Sequence, residues 1–221
     1  MIILRLSNMK TYHKIKTLWK RESERPCNMI IGEYAEPEFE LLKDVEWVAT
    51  EKVDGTNIRV MWDGQNVIFN GKTDNAQIPG HLNKVLIDLF MGEANEQLFE
   101  QTFDSRSVCL YGEGYGEKIQ KVGGLYGNTG FVLFDVKIGD WWLKRKDVED
   151  VARKLGIDVV PIIKTGTLQE LSDFVAKGFS SQWGDFLAEG VIAKPSTELL
   201  TRDGKRIITK IKHKDFIKLL K

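Results

Sequence analysis

The sequence predicts an α+β fold with mainly antiparallel sheets flanked by helices. Three observations lead there: short β-branched and aromatic runs are spread along the whole chain, only a few helix-period segments stand between them, and the crossovers are too irregular for a doubly wound parallel sheet. The 221 residues suit one domain or at most two small ones. With 42% hydrophobic and 29% charged residues, the chain can build a core, which excludes a disordered polymer.

Each element has a local reason. Trp47–Thr50 is the first strand candidate. Ile58–Trp62 and Val67–Asn70 follow, and Asp63-Gly64-Gln65-Asn66 between them is a hairpin turn signal. Leu82, Val85, Leu86, Leu89 and Phe90 recur at helical spacing. Val108–Tyr111 and Gly130–Val136 read as strands, and Asp147–Leu155 as a helix stopped by Gly156. Val159–Ile163 is a further strand. Thr167-Leu168-Gln169-Glu170 is a capping-box pattern that opens a helix stopping near Gly178. Val191–Lys194 and Ile207–Ile211 are the last two strand candidates. There is no internal repeat or low-complexity tract, so a single domain over residues 1–221 is expected.

Several function classes fall away. No apolar run approaches the roughly 18–20 residues of a membrane-spanning helix. The opening MIILRLSNMK is cut by Arg5 and lacks a cleavage pattern, so it does not read as a signal peptide. Two cysteines, Cys27 and Cys109, make neither a disulfide framework nor a zinc site and point to a reducing, cytoplasmic setting. The net charge is zero but unevenly placed. Residues 10–25 hold six Lys/Arg against two Glu, and residues 202–221 hold eight against two Asp, leaving an acidic body between. Basic ends suggest an anionic partner such as nucleic acid.

The most informative stretch is Glu51-Lys52-Val53-Asp54-Gly55-Thr56-Asn57. It puts a lysine where a β-branched strand meets a turn, with Gly55 allowing close backbone approach to a ligand. Asp54 follows two residues after Lys52, so an extended chain would point both the same way. A lysine amine becomes a nucleophile only when deprotonated, which burial or neighbouring cations favour. Taken alone, K-x-D-G is a surface lysine before a turn. Here it has company: Tyr111-Gly112-Glu113-Gly114-Tyr115-Gly116 puts a carboxylate among glycines, Phe131–Val136 is an aromatic strand, and Glu189-Gly190-Val191-Ile192-Ala193-Lys194 puts a carboxylate at a strand start. In Lys210-Ile211-Lys212, alternation sends both ammonium groups to one face. A nucleophilic lysine, two carboxylates for a divalent cation, an aromatic for a base and two cations for phosphates suit nucleotidyl transfer.

These five motifs, in this order, resemble the covalent lysyl-nucleotidyltransferases: ATP-dependent DNA and RNA ligases and mRNA capping enzymes. Within that superfamily, Tyr111-Gly112-Glu113, Ile119-Gln120, Tyr126-Gly127 and Asn57 of K-x-D-G-x-N look most like the bacteriophage RNA ligase 2 family. The resemblance implies a nucleotidyltransferase (ligase adenylation) domain using ATP as AMP donor with Mg²⁺ or Mn²⁺. It makes Lys52 the AMP acceptor, stacks Phe134 on adenine with Ile192 on the opposite face, and gives Glu113 to ribose hydroxyls or metal-bound water. Glu189 would bind or orient the metal, with Asp54 near metal waters. Lys210 and Lys212 would contact the α-phosphate and departing pyrophosphate. Glu51 would help to read adenine, and Asn57 and Lys72 would contact the nucleic-acid end. Lys72 is a departure: the family usually places arginine in this G-R-T-like segment, here Gly71-Lys72-Thr73, and lysine lacks the bidentate fork.

The implied partner is nucleic acid with 3′-OH and 5′-phosphate ends, RNA preferred, in a bacterial or phage-infected cell. With nine residues after Lys212, no OB or helical domain is expected to follow, and a partner protein could supply the missing grip. A minimal ATP-dependent DNA ligase shares every motif and stays an alternative, as does a non-catalytic end-binding protein. Capping is disfavoured by Glu51 and the missing OB domain.

Overall fold

The computed structural model describes residues 11–220. The opening MIILRLSNMK and Lys221 lie outside the described residues. Internal contacts divide the described residues into two compact units: one comprises residues 11–13 with Asp54–Val160, the other Lys14–Val53 with residues 161–220. In chain order, the second unit begins with strands β1 (Lys16–Thr17), β2 (Trp19–Arg21) and β3 (Met29–Tyr34), a short helix α1 (Pro37–Leu41) and strand β4 (Trp47–Glu51). The first unit then supplies β5 (Thr56–Trp62), β6 (Val67–Asn70), α2 (Gly80–Phe90), α3 (Glu93–Phe103), β7 (Val108–Tyr115), β8 (Gly130–Ile138), β9 (Trp141–Trp142), α4 (Arg145–Leu155) and β10 (Asp158–Val159). The chain returns to the second unit for β11 (Ile162–Gly166), α5 (Leu168–Lys177), β12 (Gly190–Pro195), β13 (Thr209–Lys212) and α6 (His213–Ile217).

The first unit is a sheet ordered β10-β8-β7-β5-β6, with β9 on β8 and antiparallel pairing except at β10–β8. One face carries Ile58, Val60, Leu110, Leu133 and Val136, which pack with Leu82, Leu86 and Phe90 of α2, Phe99 and Phe103 of α3, and Val148 and Val151 of α4. Period-2 strands meeting period-3.6 helices thus form one buried core. The other face carries Met61, Cys109 and Tyr111, joined by Tyr12, Phe134 and Trp142. Burial pushes the Cys109 thiol up to about 12, so it behaves as a core atom and not as a reactive thiolate.

The second unit is a sheet ordered β1-β13-β12-β4-β11, parallel only at β1–β13, with the β2–β3 hairpin beside it in sequence. Trp47, Ala49, Val191, Ala193 and Ile211 alternate inward and pack with Leu168, Leu171 and Val175 of α5 and Phe216 of α6. Trp19 joins this core and donates its indole N–H to Ser172 Oγ at 3.0 Å.

Locally encoded elements form as expected. Asp63 Oδ1 accepts from the N–H groups of Gln65 (2.9 Å) and Asn66 (2.8 Å), closing the β5–β6 hairpin. The Thr167/Glu170 capping box is complete, and α5 ends before Gly178. One strand differs. Val159–Ile163 is broken at Pro161, which has no N–H for a continuous ladder. Val160 N–H still bonds Leu133 O in the first unit, whereas Pro161 O accepts from Glu51 N–H in the second. The last strand starts at Thr209, after the buried Ile207 and Ile208. Helix α3 went unread because its apolar face is reduced to a few residues within EANEQLFEQTF.

Gly55 packs against protein on its Cβ side. A Cβ there would lie 2.2 Å from Gly114 O and 2.9 Å from Glu113 Cγ, so Gly55 lies directly against the Y-G-E-G strand. Gly55→Ala is expected to destabilise the protein by about 1–3 kcal/mol through overpacking, read as a lower urea midpoint. An unchanged midpoint would contradict this packing.

Candidate active site

Three strand ends of the second unit build the site. Lys52 directly follows β4, and its N–H donates to Gly190 O at 2.9 Å. Glu189 directly precedes β12, and its carbonyl accepts from His213 N–H at 3.0 Å. Lys212 ends β13 and pairs in register with Gly190. The close approach explains the glycine: a Cβ at Gly190 would lie 2.0 Å from Ile211 O. Glu189 therefore reaches both lysines. One carboxylate oxygen contacts the Lys52 ammonium, and the other accepts from Lys212 Nζ at 2.6 Å.

Lys210 lies two residues back along β13. Lys210 and Lys212 are half-buried while Thr209 and Ile211 face the core, which is the alternation the sequence predicts. Ile192 is the register partner of both Lys210 and Thr50, on the same half-buried phase. Burial lowers the Lys210 pKa, and the neighbouring charges of Lys212 and Lys52 lower it further against the opposing pull of Glu189. Burial alone would raise the Glu189 carboxyl, but Lys52 and Lys212 outweigh it and hold it below its ordinary value of 4.5. Two ammonium groups thus share one carboxylate, with Lys210 as a third cation nearby. The cluster has an excess of positive charge in a partly desolvated place, which favours an incoming polyanion.

Glu51 takes the opposite strand phase. It is buried in step with Trp47 and Ala49, and its carboxylate accepts from Ser181 Oγ at 2.6 Å and Gln182 N–H at 2.8 Å. Ser181 and Gln182 carry no sequence motif and were not singled out. His213 was also missed: its Nδ1 lies 2.8 Å from Val175 O, tying the residue after K-x-K to α5.

The remaining expected residues belong to the first unit. The strand ends at Glu51 and the chain bends at Asp54–Gly55, and Lys52 and Asp54 share the half-buried phase on either side of the buried Val53. Asp54 N–H donates to Tyr126 Oη at 3.0 Å, and Gln120 Nε2 donates to Gly55 O at 3.0 Å. The Ile119-Gln120 and Tyr126-Gly127 signature therefore clamps the K-x-D-G turn. Glu113 on β7 pairs in register with Asn57 on β5, whose Oδ1 is buried with no hydrogen-bond partner. Phe134 is the extra residue of a β-bulge: Tyr111 pairs with Asp135 and Gly112 with Leu133. The bulge turns both Phe134 and Asp135 away from the helix-packed core, as bulges beside functional sites commonly do. There Tyr12 meets Phe134 edge-on at 5.1 Å and donates to Asp135 at 2.5 Å. Lys72 is exposed on the turn after β6. That turn is held by Arg59, a buried cation in an apolar strand, through Gly71 O (3.0 Å) and Asp74 Oδ1 (2.6 Å).

No group of three or more His, Cys, Asp or Glu side chains that could hold a metal ion forms among the described residues. The sequence pattern of the RNA ligase family matches residues 45–212. The chain belongs to the RNA ligase family. Among solved structures, it is similar to a variant of Naegleria gruberi RNA ligase with AMP and Mn, at 20% identity over 93% of this chain and 61% of that one, with a TM-score of 0.61. A second Naegleria gruberi RNA ligase variant, with ATP and Mn, gives 19% identity over 95% of this chain and 58% of that one, with a TM-score of 0.64. At such identities the likeness is one of fold. This RNA ligase family member spans about three fifths of the length of those chains. No curated protein matches it.

The ion pairs give a pH signature. A carboxyl depressed on folding contributes stability that is complete above its ordinary value and lost as pH falls through the folded one. Glu189→Gln is expected to cost about 1–3 kcal/mol at neutral pH, and the gap to the wild type should shrink as pH falls below 4.5. Urea unfolding of both proteins across that range checks this; a pH-independent gap would remove the ion pairs as its cause.

Proposed function

We propose that this chain carries the adenylyl-transfer chemistry of an ATP-dependent RNA ligase. The observation that supports this reading most is the excess of ammonium groups around Glu189, at the end of the strand that leads into Lys52. In the first step the Lys52 ammonium loses a proton to solvent water, and the Nζ lone pair attacks the α-phosphorus of ATP. An N–P bond forms, the P–O bond to pyrophosphate breaks, and the proton left on the phosphoramidate nitrogen passes to water. Lys212 remains a cation beside Glu189 when Lys52 is deprotonated, so the carboxylate stays ionised and orients the amine. Lys210 and Lys212 stabilise charge on the transferred phosphoryl group and the leaving pyrophosphate. AMP then passes to a 5′-phosphate, and a 3′-OH attacks that end and expels AMP, leaving a phosphodiester bond.

Glu189 fits a divalent cation of the kind that takes one or two carboxylates and fills its other positions with phosphates and water, as Mg²⁺ does. Such an ion, Mg²⁺ or Mn²⁺, supplies charge neutralisation on the phosphates. In the same proposal, Phe134 contacts adenine with Ile192, Glu113 contacts the ribose or a metal water, and Asp54 serves metal waters. Asn57 and Lys72 contact the RNA end. The substrate is RNA with 3′-OH and 5′-phosphate ends, and the setting is cytoplasmic.

The test uses ATP labelled at the α-phosphate. Wild-type protein with Mg²⁺ should acquire label and release pyrophosphate, whereas Lys52→Arg should acquire none, because a guanidinium does not deprotonate. Label retained on Lys52→Arg would overturn the assignment. Sealing of a nick with an RNA 3′-OH strand should exceed sealing of an all-DNA nick; the reverse would favour the DNA-ligase reading.

A further inference from the structure

Glu51 is a buried charge one residue from the proposed nucleophile, with 1% of its surface exposed. An ionised carboxylate in such a place is costly unless it is fully hydrogen-bonded. Burial raises the Glu51 carboxyl, against the pull of its hydrogen bonds from Ser181 and Gln182. An apolar residue would serve the strand's packing as well, so the carboxylate calls for another explanation.

Its partners supply one. Ser181 and Gln182 belong to the connection between α5 and β12, which ends at Glu189. This connection is closed on itself: Ala188 N–H donates to Phe179 O at 2.9 Å, Ser181 N–H to Phe186 O at 2.8 Å, and Phe186 N–H to Gly184 O at 2.9 Å. Ser181 Oγ donates to Glu51 and accepts from Trp183 N–H at 3.1 Å, so Glu51 is the anchor at the base of the loop. The backbone of Glu51 is fixed too, since its own N–H donates to Pro161 O at 3.1 Å and that of Lys52 to Gly190 O. The side chain of Glu51 thus ties the strand that ends before Lys52 to the loop that ends at Glu189.

We infer that Glu51 and Ser181 form a positioning clamp that fixes the Glu189 loop against the nucleophile strand and sets the Lys52–Glu189 contact. The inference rests on Lys52 being the AMP acceptor. The clamp predicts which changes are equivalent. Removing the Ser181 hydroxyl should act like neutralising Glu51, although Ser181 is not a motif residue. Ser181→Thr keeps a hydroxyl and should restore function. The two single changes should not add, because they break one interaction.

The experiment compares full-length wild type, Ser181→Ala, Ser181→Thr, Glu51→Gln and the Glu51→Gln/Ser181→Ala double variant. Amide hydrogen exchange is read over residues 179–189, and single-turnover AMP transfer is read with ATP and with GTP. Ser181→Ala should speed exchange in the loop while α2 and β7 keep their protection, which also reports that the protein is folded. Its AMP-transfer rate constant should fall about tenfold, the scale of a hydrogen bond to a charged group. The KM for ATP and the ATP-to-GTP ratio should stay as in the wild type, and Ser181→Thr should recover the rate. The double variant should be no slower than the slower single one. Unchanged loop exchange in Ser181→Ala would overturn the clamp. A Glu51→Gln loss confined to KM, with a changed ATP-to-GTP ratio, would overturn it in favour of base reading. If the wild type takes up no AMP, the functional reading fails and the catalytic consequence fails with it, while the exchange result still decides whether the clamp exists.

Discussion

The bridging of two lysines by the Glu189 carboxylate is the constraint around which the second unit is arranged. Bringing several cations close together in a partly desolvated place is unfavourable, and one carboxylate with an oxygen for each of two neighbours limits that penalty. The sheet order follows from the requirement. Strand β12 lies between β4 and β13, so a residue just before it has Lys52 on one side and Lys212 on the other. Gly190 allows the strands to close at that point, and the His213 N–H fixes the Glu189 carbonyl. Lys210, in step with Lys212, is left as a cation whose charge is disfavoured by its surroundings. A group in that condition gains most from an anion.

In the first unit several motif residues hold backbone. Gly55 is in contact with Gly114 O, Gln120 holds Gly55 O, and Tyr126 holds Asp54 N–H. Asp54-Gly55 and the Y-G-E and Y-G signatures are therefore one packed object within the first unit. Residues with free capacity in this unit lie on the face opposite the helices, where Asn57 Oδ1 has no partner and the bulge turns Phe134 outward.

What was legible in the sequence was local. The hairpin at Asp63–Asn66, the capping box at Thr167 and the alternation of Lys210 and Lys212 need only neighbours within a few residues, and they formed as read. The Lys52–Glu189–Lys212 cluster spans 160 residues of chain, and only the ordered motifs gave it away. Interactions without a motif stayed hidden. Ser181 meets Glu51 across 130 positions, Tyr12 meets Asp135 across 123, and nothing in their flanking residues marks them. Arg59 carried a signal that was passed over, as a cation inside Ile58-Arg59-Val60-Met61-Trp62 must find a partner or a solvent face. The break at Pro161 was also readable, since proline inside a run argues against one continuous strand.

The charge distribution shows where local reading overstates. The basic ends looked like a broad surface for phosphates, yet much of that charge is already answered within the second unit. Lys16 pairs with Glu36 at 3.1 Å, Lys20 with Glu33 at 3.4 Å, Arg21 with Asp215 at 2.5 Å and Arg206 with Glu198 at 2.8 Å, and Lys205 pairs with Asp203. The pairs differ in kind. Lys16, Lys20 and Lys205 are exposed, so their bonds are weak and can be exchanged for phosphate at little cost. Arg206 and Asp215 are buried, so those two pairs belong to the fold and are unavailable to a ligand. By contrast, Lys52, Lys210 and Lys212 are half-buried, and one carboxylate bridges only two of them. Electrostatic attraction per charge is stronger where water is partly excluded, so the Glu189 cluster outranks the exposed ends in attracting a polyphosphate. The exposed ends can add affinity for a longer polyanion, and that share of binding is the part that salt will screen.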